Sequence, residues 1–350
     1  MPIDKHNWRL MNKYLEYRGN VDQISAGSVL AEKTHMRYIL EWAHDVSFRK
    51  ASEIRPTLPD YLQANPLNEK QGKLSPAYIK KVLATARLFF TWLHENEPKY
   101  KHIKPAWIKT IKAKRLTDIP QVIEYVTLEE VQAIAARPAR TARARRARAA
   151  LVFLFLSGMR IGAFVSLPIQ AVDIRQRVIY QYPSLGVKTK NSKHGITYLL
   201  DIPELLKVVQ EWDDEIRAML PPHGFWYAPI SPYSGELDTS IVEIGNHRKN
   251  LARRDFKMWL KAENLLYHSP HKFRHGHIRY LAANARNVAD LKAISQNVMH
   301  SDMKITDKFY TALNGDDLKD RISALNQNGK AKDKQKIKDF LLELLNDLDD

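Results

Sequence analysis

The chain has 350 residues, 44% of them hydrophobic and none of them cysteine. That length supports two domains with sizeable cores, and the missing thiols exclude disulfides, thiolate metal sites and a cysteine nucleophile, in keeping with a reducing cytoplasm. The formal net charge of +16 points to a polyanionic partner, most simply nucleic acid, while no apolar run approaches a membrane span and the N-terminus lacks the apolar core of a signal peptide.

The first hundred residues read as helices. In "SAGSVLAEKTHMRYILEWAHDV" Met36, Ile39, Leu40 and Ala43 recur at helical spacing. "SPAYIKKVLATARLFFTWLHEN" opens on Ser75 as N-cap with Pro76 at the first helical position, and Ile79, Val82, Leu83, Ala86, Phe89, Phe90 and Leu93 form its apolar stripe. These stripes are assigned to a core. Lys99 to Arg115 then carries seven Lys/Arg and no acid. Thr127 caps a new helix, with Glu129 and Glu130 in its positive first turn, so a domain boundary falls near 113–125. The stretch Arg137 to Arg148 holds six arginines and no acid. It suits a solvated helical face or DNA contact equally.

A buried helix, "ARAALVFLFLSGMRIGAFVSL", follows. After it, β-branched and aromatic runs flank a Lys/Asn/Ser/Gly turn, which predicts a small hairpin sheet. Helices resume to the end. In "QKIKDFLLELLNDLDD", Ile337, Phe340, Leu341, Leu344, Leu345 and Leu348 make a full amphipathic stripe behind the hinge-like "NQNGKAKDKQK". The fold class is mainly α with a small β-sheet (α+β).

"HSPHKFRHGHIRYLAANA", His268 to Ala285, concentrates four histidines with Lys272, Arg274 and Arg279 and no acid. Ser269 and Pro270 read as N-cap and N1. His271 and Arg274 then lie side by side in the first turn, backed by Ile278, Leu281 and Ala285. A cationic pair at a helix N-terminus is suited to phosphate. His271 and His275 have the i, i+4 spacing of a zinc pair, but no Glu stands between them and Arg274 would repel a cation, so no metal is expected. Elsewhere, Arg160 follows the Ser157-Gly158 break of an apolar helix, where it needs an anion or an ion-pair partner. Lys188, Lys190 and Lys193 sit on the hairpin turn. His300 precedes Tyr310 by ten residues in "VMHSDMKITDKFYTAL".

Taken in order, these segments resemble the tyrosine recombinase (phage integrase) family: Arg in "SGMRIGAFVSL", Lys on a β-turn, His-x-x-Arg in "HKFR", His in "MHSDMKI" and Tyr in "DKFY". The resemblance covers about Val126 to Ala324, and more loosely the N-terminal helices. It implies a helical core-binding domain (1–115), a linker (116–125), a catalytic domain (126–328), and a C-terminal helix (329–350) docked on a neighbouring subunit, the two domains closing as a C-shaped clamp around DNA. The implied activity is site-specific recombination through a 3′-phosphotyrosyl intermediate. Tyr310 would be the nucleophile. Arg160 and Arg274 would grip the phosphate, with His271 and His300 assisting, and Lys190 would be the acid for the leaving oxygen, with Lys188 and then Lys193 as alternatives. These roles agree with the chemistry, since phosphoryl transfer depends on positioning and charge stabilisation.

Lys104, Lys109, Lys112, Lys114 and Arg115 are expected to contact DNA phosphates where the two domains are linked. Sequence reading is assigned to the helices around Thr34–Arg37 and Ser75–Arg87. No cofactor is implied. The partners are double-stranded recombination sites and further copies of the chain, as a tetramer on two sites, at the nucleoid in the cytoplasm. Two departures stand out: Ala163 replaces the family's acid three residues after the first Arg, and Met299 replaces the Gly before the second His. Ala163 keeps a catalytically inactive DNA-binding protein as an alternative, and a type IB topoisomerase-like relaxing enzyme is another. Of the remaining histidines, His275 is expected to neighbour the site, while His268 and His277 are expected to be solvated or structural.

Overall fold

The computed structural model describes residues 3–64, 74–113, 124–240, 245, 247–285 and 288–299. Two compact units divide the chain, Met1–Gln121 and Val122–Asp350.

In the first unit, α1 (Lys5–Asn20), α2 (Ala26–Ala43), α3 (Leu58–Ala64), α4 (Pro76–Asn96) and the short α5 (Pro105–Ile108) pack around one apolar cluster. Local chemistry sets the helix starts. Asp4, Ser25 and Ser75 each accept a bond from the backbone N–H three residues on, and Pro76 takes the first turn of α4 as expected. Buried Asn7 staples α1 to the chain after α2, donating to the Val46 carbonyl (2.8 Å) and accepting from the Phe48 amide (2.9 Å). Phe48, Phe89 and Phe90 meet edge to face at 5.3–5.6 Å, each fully buried. The basic stretch from Lys99 on is part of this unit. Tyr100, Ile103, Ile108 and Ile111 are buried in its core while Lys104, Lys109 and Lys112 stand exposed between them. The run is therefore an amphipathic edge of the domain as far as Ala113. Lys114, Arg115 and most of the expected linker lie outside the described residues.

The second unit is built on α7 (Ala142–Ser157), which is apolar all round over its last two turns and fully buried there. Around it lie α6 (Leu128–Ala135), α9 (Pro203–Met219), α10 (Arg248–Ala262) and α11 (Pro270–Asn284). The α6 start is a complete capping box: Thr127 Oγ1 accepts from the Glu130 amide and Glu130 Oε2 from the Thr127 amide. After α7 comes the four-residue α8 (Ile161–Phe164), then an antiparallel sheet of order β1-β2-β3 (Val172–Asp173, Val178–Gln181, Gly195–Tyr198) with Val178 opposite Tyr198 and Gln181 opposite Gly195. β2 and β3 are the predicted hairpin, and β1 is an added edge. The last described helix is α12 (Val288–Asn297). No described helix is long and apolar enough to cross a membrane.

The arginine run at the start of α7 faces inward to a degree that composition alone does not suggest. Arg145 makes a two-pronged pair with Glu215 (2.7 and 2.8 Å), Arg148 reaches Glu211 (3.2 Å), and buried Arg146 binds Asp255 (2.7 Å). These three arginines brace α7 against α9 and α10, while Arg137, Arg140 and Arg143 of the same run stand exposed.

α11 runs very close to the segment before α6, with the Val126 amide donating to the Lys272 carbonyl (3.1 Å). A Cβ added at Gly276 would lie 2.0 Å from the Val126 carbonyl oxygen. Backbone cannot move aside as a side chain can, so Gly276→Ala is expected to cost about 2–3 kcal/mol and to lower the melting temperature by roughly 5–10 °C. A thermal melt of the purified variant checks this.

Candidate active site

α7 stops at Gly158, which adopts φ 60° and donates its amide to the Leu154 carbonyl. That left-handed residue suits glycine for two reasons: a side chain would be strained there, and a Cβ would also meet the His277 ring at 2.5 Å. The reversal places Arg160 at the head of α8, where its side chain enters a cavity of about 610 Å³. Lys188, Lys190 and Lys193 line the same cavity from the β2–β3 connection, and His271 lines it from the first turn of α11. No Asp or Glu is among the described lining residues. The lysine turn is held by the Lys188 amide donating to Ser166 Oγ (2.8 Å) and by Thr189 Oγ1 donating to the Lys193 carbonyl (2.7 Å). It passes through Asn191 and Ser192 at φ 57° and 51°.

Arg274 lies beneath this cavity instead of lining it. It is 2% exposed and donates to the Gly158 carbonyl (2.7 Å) and the Val298 carbonyl (2.6 Å). Arg160 donates in turn to the Met299 carbonyl (3.3 Å). The carbonyls at 298 and 299 are delivered by the end of α12, which is pinned to β3: Thr197 Oγ1 donates to the Asn297 carbonyl (2.7 Å) and the Tyr198 amide to Asn297 Oδ1 (2.7 Å). Met299 itself has φ 53°, the region glycine adopts freely. Ser269 takes the N-cap position of α11 but makes no side-chain cap bond; with Pro270 it lines the cavity.

Burial holds the histidines of α11 neutral. The His271 pKa is lowered by desolvation first and then by Arg274 and Arg160. His275, packed on the His271 ring at 4.3 Å, is pushed down to about 4 by burial, then by His271 and Arg274. His277 is structural: wholly buried, it donates Nδ1–H to the Phe155 carbonyl (2.7 Å), and desolvation takes its pKa to about 4. His268 is also buried and bonds Glu130 (2.9 Å), tying the capping box to α11.

Because these folded pKa values lie below that of an unfolded histidine, the unfolded chain binds the extra proton. Stability is complete above about pH 6.5 and falls as pH drops from there toward 4, by about 3 kcal/mol for His277 alone. Chemical denaturation at pH 7 and pH 5 measures the loss. Equal stability at the two values would contradict a neutral buried His277.

Arg160, Lys190 and His271 thus converge, with Arg274 directly behind. His300, Tyr310 and the C-terminal helix lie outside the described residues. Lys104, Lys109 and Lys112 belong to the first unit's surface. Two further cavity residues, Lys249 and Arg253 on α10, escape a motif-based reading; their one signal is i, i+4 cation spacing.

The phage integrase family profile matches residues 124–316, more than half of the chain and all of the described residues that line the cavity. The chain belongs to the phage integrase family. As a family member it is a site-specific DNA recombinase of the tyrosine type. Among solved structures it is similar to the Tn1549 transposon integrase in complex with circular intermediate DNA (17% identity, 91% of this chain and 99% of that chain covered, TM-score 0.59). It is also similar to a lambda integrase dimer bound to a COC′ core site (13% identity, 86% and 94% covered, TM-score 0.59). At these identities the likeness shows the shared fold. No curated protein sequence matches the chain.

Proposed function

We propose that this integrase cuts and rejoins duplex DNA through a 3′-phosphotyrosyl bond to Tyr310. The phenol oxygen attacks phosphorus, the bond to the 5′ oxygen breaks, and rejoining reverses the step with the 5′ hydroxyl of a partner strand. Arg160 and Arg274 hold the non-bridging oxygens as negative charge builds on them. His271, kept neutral by burial, takes the phenol proton or orients the phosphate, and His300 shares that task. Lys190 protonates the departing 5′ oxygen, Lys188 and Lys193 being the alternatives on the same turn. The observation that carries this reading is a cavity shared by Arg160, three lysines and His271 with no carboxylate among its described lining residues. Such a lining favours a phosphodiester over a cation.

The working unit is a tetramer on two recombination sites, assembled from monomers or dimers in the cytoplasm at the nucleoid. The helical first unit acts as the core-binding domain and contacts the duplex. Its exposed Lys104, Lys109 and Lys112, with Lys114 and Arg115 beyond, contact phosphates. The C-terminal helix docks in trans.

The reading is tested by incubating the protein with a nicked duplex carrying its site and denaturing the mixture. A covalent protein–DNA adduct is expected. Site-specific binding without any adduct would instead assign a DNA-binding role to the chain, with Ala163 as the chemical reason.

A further inference from the structure

We propose that Lys249 and Arg253 of α10 form a second phosphate-binding arm, which grips the backbone phosphate next to the one being cut. The proposal rests on the DNA strand-exchange reading above.

Both side chains line the cavity shared by Arg160 and His271. They sit one turn apart on α10, so they present to the cavity as a pair. Lys249 comes closest. A Cβ on Gly162 would lie 3.1 Å from its Cε and 3.3 Å from its Nζ, so the ammonium rests over the backbone two residues after Arg160. Gly162 and Ala163 offer it neither steric bulk nor a carboxylate. The family's usual acid at 163 would stand next to Gly162, on the cavity wall Lys249 approaches, and offer that ammonium a partner of opposite charge.

The rest of α10 fixes this arm in place. Arg248, buried, donates to the Val165 carbonyl (3.1 Å) and to the Tyr227 carbonyl, tying the start of α10 to the end of α8. The one acid of α10, Asp255, is committed to Arg146 (2.7 Å) and Tyr227 (3.0 Å). Among the described residues Lys249 and Arg253 make no ion pair, and both are exposed. Like charges at i, i+4 weaken a helix, and no carboxylate on α10 offsets this pair. An anion in the cavity would.

The scissile phosphodiester carries one negative charge, already faced by Arg160, His271 and the lysine turn. A DNA strand brings a phosphate about every 3.4 Å of helix axis. A cavity of about 610 Å³ therefore admits a neighbouring phosphate, and the α10 pair is placed on its own wall to meet it.

The test measures binding of the full-length protein to its duplex site as a function of salt. Lys249→Gln combined with Arg253→Gln is expected to reduce the slope of log K against log salt by about 0.9, the loss of one phosphate contact. The exchanged pair Lys249→Arg with Arg253→Lys is expected to keep the slope. Lys257→Gln with Lys261→Gln, exposed on the same helix beyond the cavity, is expected to change it by less than half a unit. A neutral methylphosphonate at the flanking phosphate should weaken wild-type binding but add no loss in the double Gln variant. An unchanged slope, an equal effect of the distal pair, or coupling to the scissile phosphate instead would each overturn the proposal. The wild-type adduct assay reports separately on the strand-exchange reading: an adduct with an unchanged slope removes only the arm, and a reduced slope without an adduct removes only the chemistry.

Discussion

Tyr310→Phe is expected to abolish the covalent adduct, lowering its rate of formation on the order of 10⁴-fold or more, as loss of a nucleophile does, while the protein still binds its site. The substitution removes one oxygen and keeps the ring. A free phenol has a pKa near about 10 and is a poor nucleophile at neutral pH unless positive charge stabilises its anion. Arg160, Lys188, Lys190 and Lys193, which line the cavity, would supply that charge. The tyrosines near the site in sequence are otherwise occupied: Tyr280 packs on Phe155 at 6.2 Å, and both Tyr267 and Tyr280 are partly buried against the core. Gel analysis of denatured reactions with a nicked site reads the result. An adduct of undiminished yield from the Phe variant would move the nucleophile elsewhere.

Arg274→Lys is expected to slow adduct formation about 10²- to 10³-fold at saturating DNA, the scale of losing one preorganised charged donor. The charge is kept, so the loss comes from geometry. A guanidinium spreads its donors in a plane and holds the Gly158 and Val298 carbonyls together, whereas an ammonium is a point charge with three donors. Stability should fall as well, by about 2–3 kcal/mol, because a buried cation loses hydrogen bonds. Single-turnover rates and a thermal melt separate the two effects. A rate within tenfold of wild type in a destabilised protein would make Arg274 a brace for the turn and not a phosphate ligand.

Much of the site is legible in the chain because local chemistry dictates it. Thr127 with Glu130, Ser75 with Pro76, and the Gly158 stop ahead of Arg160 are short-range signals, and each appears where spacing predicts it. The lysine turn follows from two β-prone runs flanking polar residues. What escapes is long-range. Six arginines before a buried helix carry no mark of the acids 63–109 residues away that three of them meet. The depth of Arg274 depends on carbonyls 116 residues before it and 24 after it. Lys249 and Arg253 belong to the cavity only because Arg248 and Asp255 orient their helix from its opposite side.

The two carbonyl bonds of Arg274 also bear on timing during synthesis. Its acceptors, Gly158 and Val298, lie on either side of it in the chain. Ribosomes add about 5–20 residues per second and N-terminal parts fold first, so the α7 core can form well before residue 298 emerges. Until then Arg274 lacks one acceptor, and the Met299 carbonyl that holds Arg160 does not exist. A nascent or prematurely terminated chain ending before residue 298 thus carries the basic residues of the cavity without the carbonyls that hold Arg274 and Arg160 in place. For a DNA recombinase, DNA affinity would come earlier in its own biosynthesis than the capacity to cut.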